Sequence, residues 1–267
     1  AFEGPWQRAT PAERGALLGA MAGKLMERSP DLAHAWTNQM GILHQMASFG
    51  APGMAGTFAY YAGLAQTFPF EEVHEPSYGG GTGLLVREAV GVVAAIVPWN
   101  APASLIAYKV APAILAGCTV VLKASPEAPS EAFILAEIAE EVGLPAGVLN
   151  VIVADREVSE LLVRHPNVDK VSFTGSTAAG KRIASICGER IARCTLELGG
   201  KSAAVILNDF PVEEAAAGLA GSITLMSGQV CAALTRIIVP QQRHDQLVEA
   251  LAANFKAIKT GDPYEAG

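Results

Sequence analysis

The sequence predicts an α/β fold built on a mainly parallel sheet, and three observations carry that prediction. From residue 103 onward, short apolar runs alternate with longer segments whose apolar residues recur at helical spacing. The runs at 119–122 and 148–153 are rich in Val, Ile and Leu, as strands covered on both faces are. Helix stop signals fall between them, as where Gly143 and Pro145 close a helix over 130–142. Strands alternating with helices imply βαβ units.

The elements follow in order. Thr10-Pro11-Ala12-Glu13 is a capping box with proline at the first helical position, so a helix begins there. Leu17, Leu18, Met21 and Leu25 form its apolar stripe, and Arg14, Lys24 and Arg28 are expected on the opposite side. Residues 31–67 continue as helices rich in Ala, Met and Gly, and Gly79-Gly80-Gly81 reads as a flexible joint. Residues 84–88 and 90–97 read as two strands bent around 88–90. A helix then reaches about residue 115, followed by strand 119–122, helix 130–142, strand 148–153, helix 158–164, strand 168–174 and helix 178–187. Strands at 195–198 and 203–207, a helix over 212–226 ended by Ser227-Gly228, and a helix over about 243–259 complete the chain.

Composition narrows the function classes. At 267 residues the chain makes one large domain or two. Hydrophobic residues reach 51% and charged ones only 17%, against about 25% in ordinary globular chains. That balance requires much buried surface, or a face meant to be covered. A net charge of −7 without any Lys/Arg cluster excludes a nucleic-acid partner, which needs a basic patch. No stretch approaches the ~18 consecutive apolar residues of a membrane span, so no membrane partner is expected. The chain opens Ala1-Phe2-Glu3 with neither a starting Met nor a basic leader, so it reads as trimmed or as lacking its start, and not as a signal peptide. The four cysteines lack Cys-x-x-Cys spacing and the five histidines are scattered, which leaves no metal site and points to a reducing, cytoplasmic compartment.

Five motifs carry chemistry. Phe173-Thr174-Gly175-Ser176 leaves a strand and opens a helix, where free backbone N–H groups can hold an anion; alone, it is also an ordinary helix cap. Lys123 ends a strand, the edge at which parallel sheets bind ligands. Asn100, in Pro98-Trp99-Asn100, sits on a loop stiffened by Pro98 and Pro102. Glu197 precedes Gly199-Gly200, whose yielding backbone lets a carboxylate swing. Cys231 follows Gly228-Gln229-Val230 in a turn whose amides favour a thiolate, whereas Cys118, Cys187 and Cys194 read as buried small hydrophobes.

In this order the motifs resemble the NAD(P)-dependent aldehyde dehydrogenase superfamily, of the non-acylating type, and the resemblance runs nearly end to end. It implies a Rossmann-like nucleotide-binding domain over 1–197, with a protruding β-hairpin at about 82–97 that pairs with another subunit. Residues 198–267 would begin a second α/β catalytic domain whose remainder is absent, so the chain reads as truncated at both ends. The resemblance makes Cys231 the nucleophile, Glu197 the base for the hydrolytic water and Asn100 the oxyanion donor. It gives NAD or NADP contacts to Pro98, Trp99, Lys123, Ser125, Gly175, Ser176, Gly180 and Leu198, and a small aldehyde as substrate. A glutamate usually assists the lysine three residues on; Pro126 stands there, which leaves NAD against NADP open. Lys109 matches a lysine whose acidic partner is missing, and is given a structural role. A homodimer or homotetramer is implied for the complete enzyme. Glu197 speaks against a CoA-acylating relative, and a dinucleotide-binding module without turnover is the alternative.

Overall fold

The computed structural model describes residues 4–265, so the leader reading at Ala1, Phe2 and Glu3 lies outside the described residues. Four helices come first: α1 (Pro11–Glu27), α2 (Ser29–Met40), α3 (His44–Gly50) and α4 (Pro52–Leu64). The capping box forms in both directions, with Glu13 N–H donating to Thr10 Oγ1 at 3.2 Å and Thr10 N–H donating to Glu13 Oε2 at 2.7 Å. Helix α1 approaches α4 so closely that a Cβ on Gly15 would lie 2.5 Å from Ala65 Cβ. Arg14 is not on the solvent side of α1. It is buried and donates to the Leu115 carbonyl at 2.7 Å, answering an end-of-helix acceptor that no backbone group satisfies.

Strands β1 (Glu71–His74) and β2 (Gly83–Val86) then form an antiparallel hairpin, with Glu71 opposite Val86 and His74 opposite Gly83. Gly79, Gly80 and Gly81, expected as a joint, form part of its connecting loop, at φ values of 85°, 63° and 104°. The hairpin expected at about 82–97 is thus displaced to 71–86. Strand β3 (Val92–Ile96) belongs instead to the centre of the main sheet. The physical reason lies in its two faces: Val93 and Ala95 pack into one hydrophobic cluster, and Ala94 and Ile96 into another. A strand buried on both sides cannot project into solvent.

Around β3 the chain winds both ways. Helix α5 (Pro102–Leu115), β4 (Thr119–Ala124), α6 (Ser130–Glu141) and β5 (Leu149–Val153) build outward on one side; α7 (Arg156–Arg164), β6 (Lys170–Gly175), α8 (Thr177–Glu189) and β7 (Arg193–Leu198) build the other. The order β5-β4-β3-β6-β7 is parallel at every pairing. The order reverses beside β3, which opens a ligand crevice at the carboxyl ends of the strands. Beyond it, β8 (Ala203–Val205) pairs in parallel with β9 (Arg236–Ile238), and α9 (Val212–Thr224) packs on α10 (His244–Ala257). Val212, Ala215, Ala216, Leu247 and Ala250 form a third, separate cluster there. Among the described residues no helix is long and apolar enough to cross a membrane.

One buried acid stands out in the helical layer. Glu131 of α6 is wholly buried; its Oε2 accepts from Gln39 Nε2 at 2.8 Å, while its Oε1 has no partner. Burial pushes its carboxyl from 4.5 up to about 7. The folded state therefore holds this proton more tightly than the unfolded chain. Stability from this group is full below about pH 4.5 and is lost as pH rises to about 7. Glu131→Gln keeps an acceptor for Gln39 without a charge. It should be more stable than wild type at pH 8 by on the order of 3 kcal/mol, and should lack this pH-dependent loss. Urea unfolding across pH 5–8 checks it, and parallel stability profiles for the two proteins would contradict it.

Candidate active site

The sheet register brings the chemistry-bearing segments together. Ile96 lies opposite both Lys123 and Phe173, and Thr174 lies opposite Glu197. The loops leaving β3, β4, β6 and β7 therefore emerge along one edge of the sheet. A cavity of about 590 Å³ opens there, between α7 and α8, over a floor of Ile96, Val163, Phe173, Ile183 and Ile186. Its rim carries Lys123, Ser125, Glu127, Asp155, Arg156 and Ser176. An apolar slot with a few convergent polar groups suits a small molecule holding a flat ring and hydroxyls.

Each rim group has a local cause. Burial pushes the Lys123 ammonium down, and the carboxylates of Glu127 and Asp155 pull it back up. Ser125 donates its hydroxyl to Glu127, which holds that carboxyl below the usual range, with help from the Glu127 backbone N–H and Lys123. Asp155 caps α7 by accepting from Val158 N–H at 2.9 Å. Glu160 accepts from Arg182 at 2.9 Å, which braces α7 against α8, and from Arg164 of its own helix at 2.8 Å; these bonds draw its carboxyl to about 2. Ser176 caps α8 by accepting from Ala179 N–H at 3.3 Å. Thr174 Oγ1, next to the cavity-lining Phe173, is buried without a partner.

Of the residues expected to contact a cofactor, Lys123, Ser125 and Ser176 line this cavity; Pro98, Trp99, Gly175, Gly180 and Leu198 do not. Gly180 is needed instead for packing, since a Cβ there would lie 2.5 Å from Leu198 Cδ2. A Cβ on Gly175 would meet the Phe173 ring at 2.5 Å. Sequence reasoning missed Glu127, Asp155 and Arg156 on the cavity rim. Asp155 carried a usable signal, as a capping residue directly after a strand.

The segment before Cys231 is unusual in its backbone. Helix α9 stops at Thr224, two residues earlier than expected, because Met226 and Ser227 adopt left-handed φ values of 51° and 56°. Such positions cost roughly 1–3 kcal/mol each and persist only when neighbours hold them. Here Ser227 Oγ donates to Gly41 O at 3.1 Å and Gln229 Nε2 to Met40 O at 2.9 Å. Asn100 adds a third tie, its Nδ2 donating to Gln229 O at 2.8 Å. Asn100 is itself anchored, since Trp36 Nε1 donates to its carbonyl at 2.8 Å.

Cys231 and Glu197 are both exposed, and no hydrogen bond joins them among the described residues. Cys118 and Cys187 are buried as expected, but Cys194 is exposed, because its side chain stands on the edge strand β7. Lys109 is buried and donates to Ser172 Oγ at 3.2 Å. Burial takes its ammonium down to about 8, against an upward pull from Glu197. No group of three or more metal-ligating side chains is assembled among the described residues.

Comparison with known proteins sharpens this geometry. The chain is 42% identical over 246 residues to a geranial dehydrogenase of Castellaniella defragrans, a match covering 92% of this chain and 51% of that protein. It is also 42% identical over 267 residues to a 3-succinoylsemialdehyde-pyridine dehydrogenase of a Pseudomonas species, covering 98% and 54%. An aldehyde dehydrogenase of Mycobacterium tuberculosis, crystallised with NAD+, matches with a TM-score of 0.89 at 40% identity, covering 98% of this chain and 54% of that one. The chain thus spans about half the length of the relatives it matches. The aldehyde dehydrogenase family matches residues 1–267, and with the sheet order and the relatives in agreement, the chain belongs to that family.

Proposed function

We propose that this protein oxidises an aldehyde to a carboxylic acid, with NAD or NADP accepting the hydride. The observation that carries the reading is the 2.8 Å hydrogen bond from Asn100 to Gln229, which ties two segments 129 residues apart into one site. It brings an amide donor to the turn that presents Cys231. In this reading the Cys231 thiolate adds to the aldehyde carbonyl carbon. The second Asn100 N–H and the Cys231 backbone N–H stabilise the oxyanion of the resulting thiohemiacetal. When bound, the nicotinamide supplies the acceptor for the hydride that leaves, and a Cys231 thioester remains. Glu197 then takes a proton from water, the hydroxide adds to the thioester carbon, and the acid departs as the C–S bond breaks and the Cys231 thiolate is restored; Glu197 passes its proton to solvent.

Lys123, Ser125 and Ser176 would hold the dinucleotide at the cavity rim. Pro98, Trp99, Gly175, Gly180 and Leu198 would shape the same edge without lining the cavity. Lys109 keeps a structural role, fixed to Ser172 and drawn on by Glu197. Residues 1–197 are proposed as the nucleotide-binding domain and 198–267 as part of the catalytic one, which the third hydrophobic cluster supports. The β1–β2 hairpin, with Val73, Leu84, Leu85 and Val86 exposed, is proposed to pair with another subunit in a homodimer or homotetramer. A reducing, cytoplasmic setting belongs to the same reading, because Cys231 must remain a free thiol. Taken alone, these 267 residues also fit a dinucleotide-binding module without turnover, a reading favoured by the open exposure of Cys231 and Glu197.

Three variants test the chemistry. Cys231→Ser should lower kcat by ~10³ or more, and Glu197→Gln should give one burst of reduced cofactor followed by little turnover; steady-state rates near wild type for either would refute its role. Asn100→Ala should cost ~10²–10³ in kcat, whereas a loss under about threefold would remove Asn100 from the oxyanion site.

A further inference from the structure

We propose that Cys187 and Cys194 form a reversible dithiol–disulfide pair, a site of thiol oxidation separate from the Cys231 turn. The sheet register brings them together. Cys194 lies opposite Val171, and residues opposite each other in a parallel pair present their side chains to the same face. Val171 and Cys187 belong to one buried cluster. Leu196 and Leu198, on the same face of β7 as Cys194, pack against that cluster too. Cys194 therefore faces the last turn of α8, where its side chain bears on the Cys187 thiol. The chain between the two folds back on itself. Ala192 N–H donates to Cys187 O at 2.9 Å and Ile191 N–H to Gly188 O at 3.3 Å, the paired bonds of a left-handed helix cap. Glycine normally takes the left-handed position; here Ile191 takes it, at φ 56° and 93% exposed, where a β-branched residue is strained.

The two thiols divide the chemistry by exposure. Cys194 is exposed and meets an oxidant first, whereas Cys187 is 1% exposed. Burial, and then the neighbouring Cys194, push the Cys187 thiol up, against a downward pull from Arg190. The oxidant is a hydroperoxide. Cys194 gives its proton to solvent, its thiolate attacks one peroxide oxygen, and the O–O bond breaks. Cys194 becomes a sulfenic acid, and the departing oxygen takes up a proton and leaves as water or an alcohol. The Cys187 sulfur then attacks the Cys194 sulfur, the S–O bond breaks, the Cys187 proton departs with the hydroxide as water, and an S–S bond forms. Two thiols have lost two electrons to one peroxide. Arg190, whose Nε is buried without a partner, supplies positive charge beside Cys187 as its proton leaves. Intracellular reductants return such a pair to thiols. The bond ties the end of α8 to the start of β7, the edge strand that carries Glu197. It needs neither a bound cofactor nor the Cys231 chemistry.

The test is a thiol map of the protein after brief exposure to hydrogen peroxide, with remaining thiols blocked by iodoacetamide and the chain digested by trypsin without reductant. Cleavage after Arg182, Arg190, Arg193 and Lys201 places Cys187 in peptide 183–190 and Cys194 in peptide 194–201. The two should appear joined, lighter than their sum by two hydrogens, and should separate on addition of dithiothreitol. Cys187→Ser should leave Cys194 as a sulfenic acid that dimedone traps, and Cys194→Ser should leave Cys187 unoxidised, with an unchanged Tm checking that each variant is folded. The wild-type map needs neither variant. Peptide 194–201 recovered as a blocked thiol at peroxide levels that oxidise Cys231 would overturn the pair. So would a sulfinic acid at Cys194 with Cys187 still a thiol, or Cys194 joined to Cys118 or Cys231.

Discussion

The parallel register around β3 is the constraint from which the rest of the molecule follows. Val93 to Ile96 pair with β4 on one side and β6 on the other, so the carboxyl ends of three strands stop side by side. That register could not slip by one residue without turning Ala94 and Ile96 away from one cluster and Val93 and Ala95 away from the other. Because β3 is locked from both faces, Lys123, Thr174 and the Asn100 loop have fixed relative positions before any ligand arrives. The cavity at the strand ends and the placement of the Asn100 amide are consequences of one buried strand.

The turn that presents Cys231 is held differently. It gains nothing from the sheet directly, and its two left-handed residues are locally unfavourable. Its shape is kept by ties to Gly41, Met40 and Asn100, of which only Asn100 stands on the sheet edge. The carbonyls at 40 and 41 become available because α2 ends there, with Gly41 in the left-handed conformation at φ 64°. A glycine cap on a distant helix thereby helps fix where Cys231 emerges. Strain here and rigidity in the sheet are complementary: the scaffold supplies positions, and the turn presents an exposed thiol.

Much of this is legible in the sequence, and the failures have physical causes. Strands β4 and β5 announce themselves because a strand covered by helices must be an apolar run, and Val, Leu and Ile dominate both. Strand β3 is recognisable but is assigned the wrong partner, since periodicity says which residues are buried and not against what. Strand β1 carries no signal at all, because Glu71, Glu72 and His74 pair through the backbone and present polar side chains to solvent. Arg14 looks like a surface residue because its acceptor, the Leu115 carbonyl, lies 101 residues away. Among site residues, Asn100, Glu197 and Cys231 stand out through motifs, and the structure places Asn100 against the Cys231 turn. Glu127 is invisible to the same reasoning, because Pro126 occupies the place where an acid is sought and only the folded turn shows the next residue reaching the rim.

The central claim is that one edge of the sheet, at the reversal beside β3, is where a dinucleotide binds. Hydrogen exchange of the backbone amides with and without saturating NAD+, resolved by peptide, tests it most directly. The account predicts slowed exchange at 123–128, 154–160 and 174–183, the segments that form the rim and walls of the cavity, with α1, α4 and the β1–β2 hairpin unchanged. Protection confined to the hairpin or to the α9–α10 unit, or none at saturation, would contradict it.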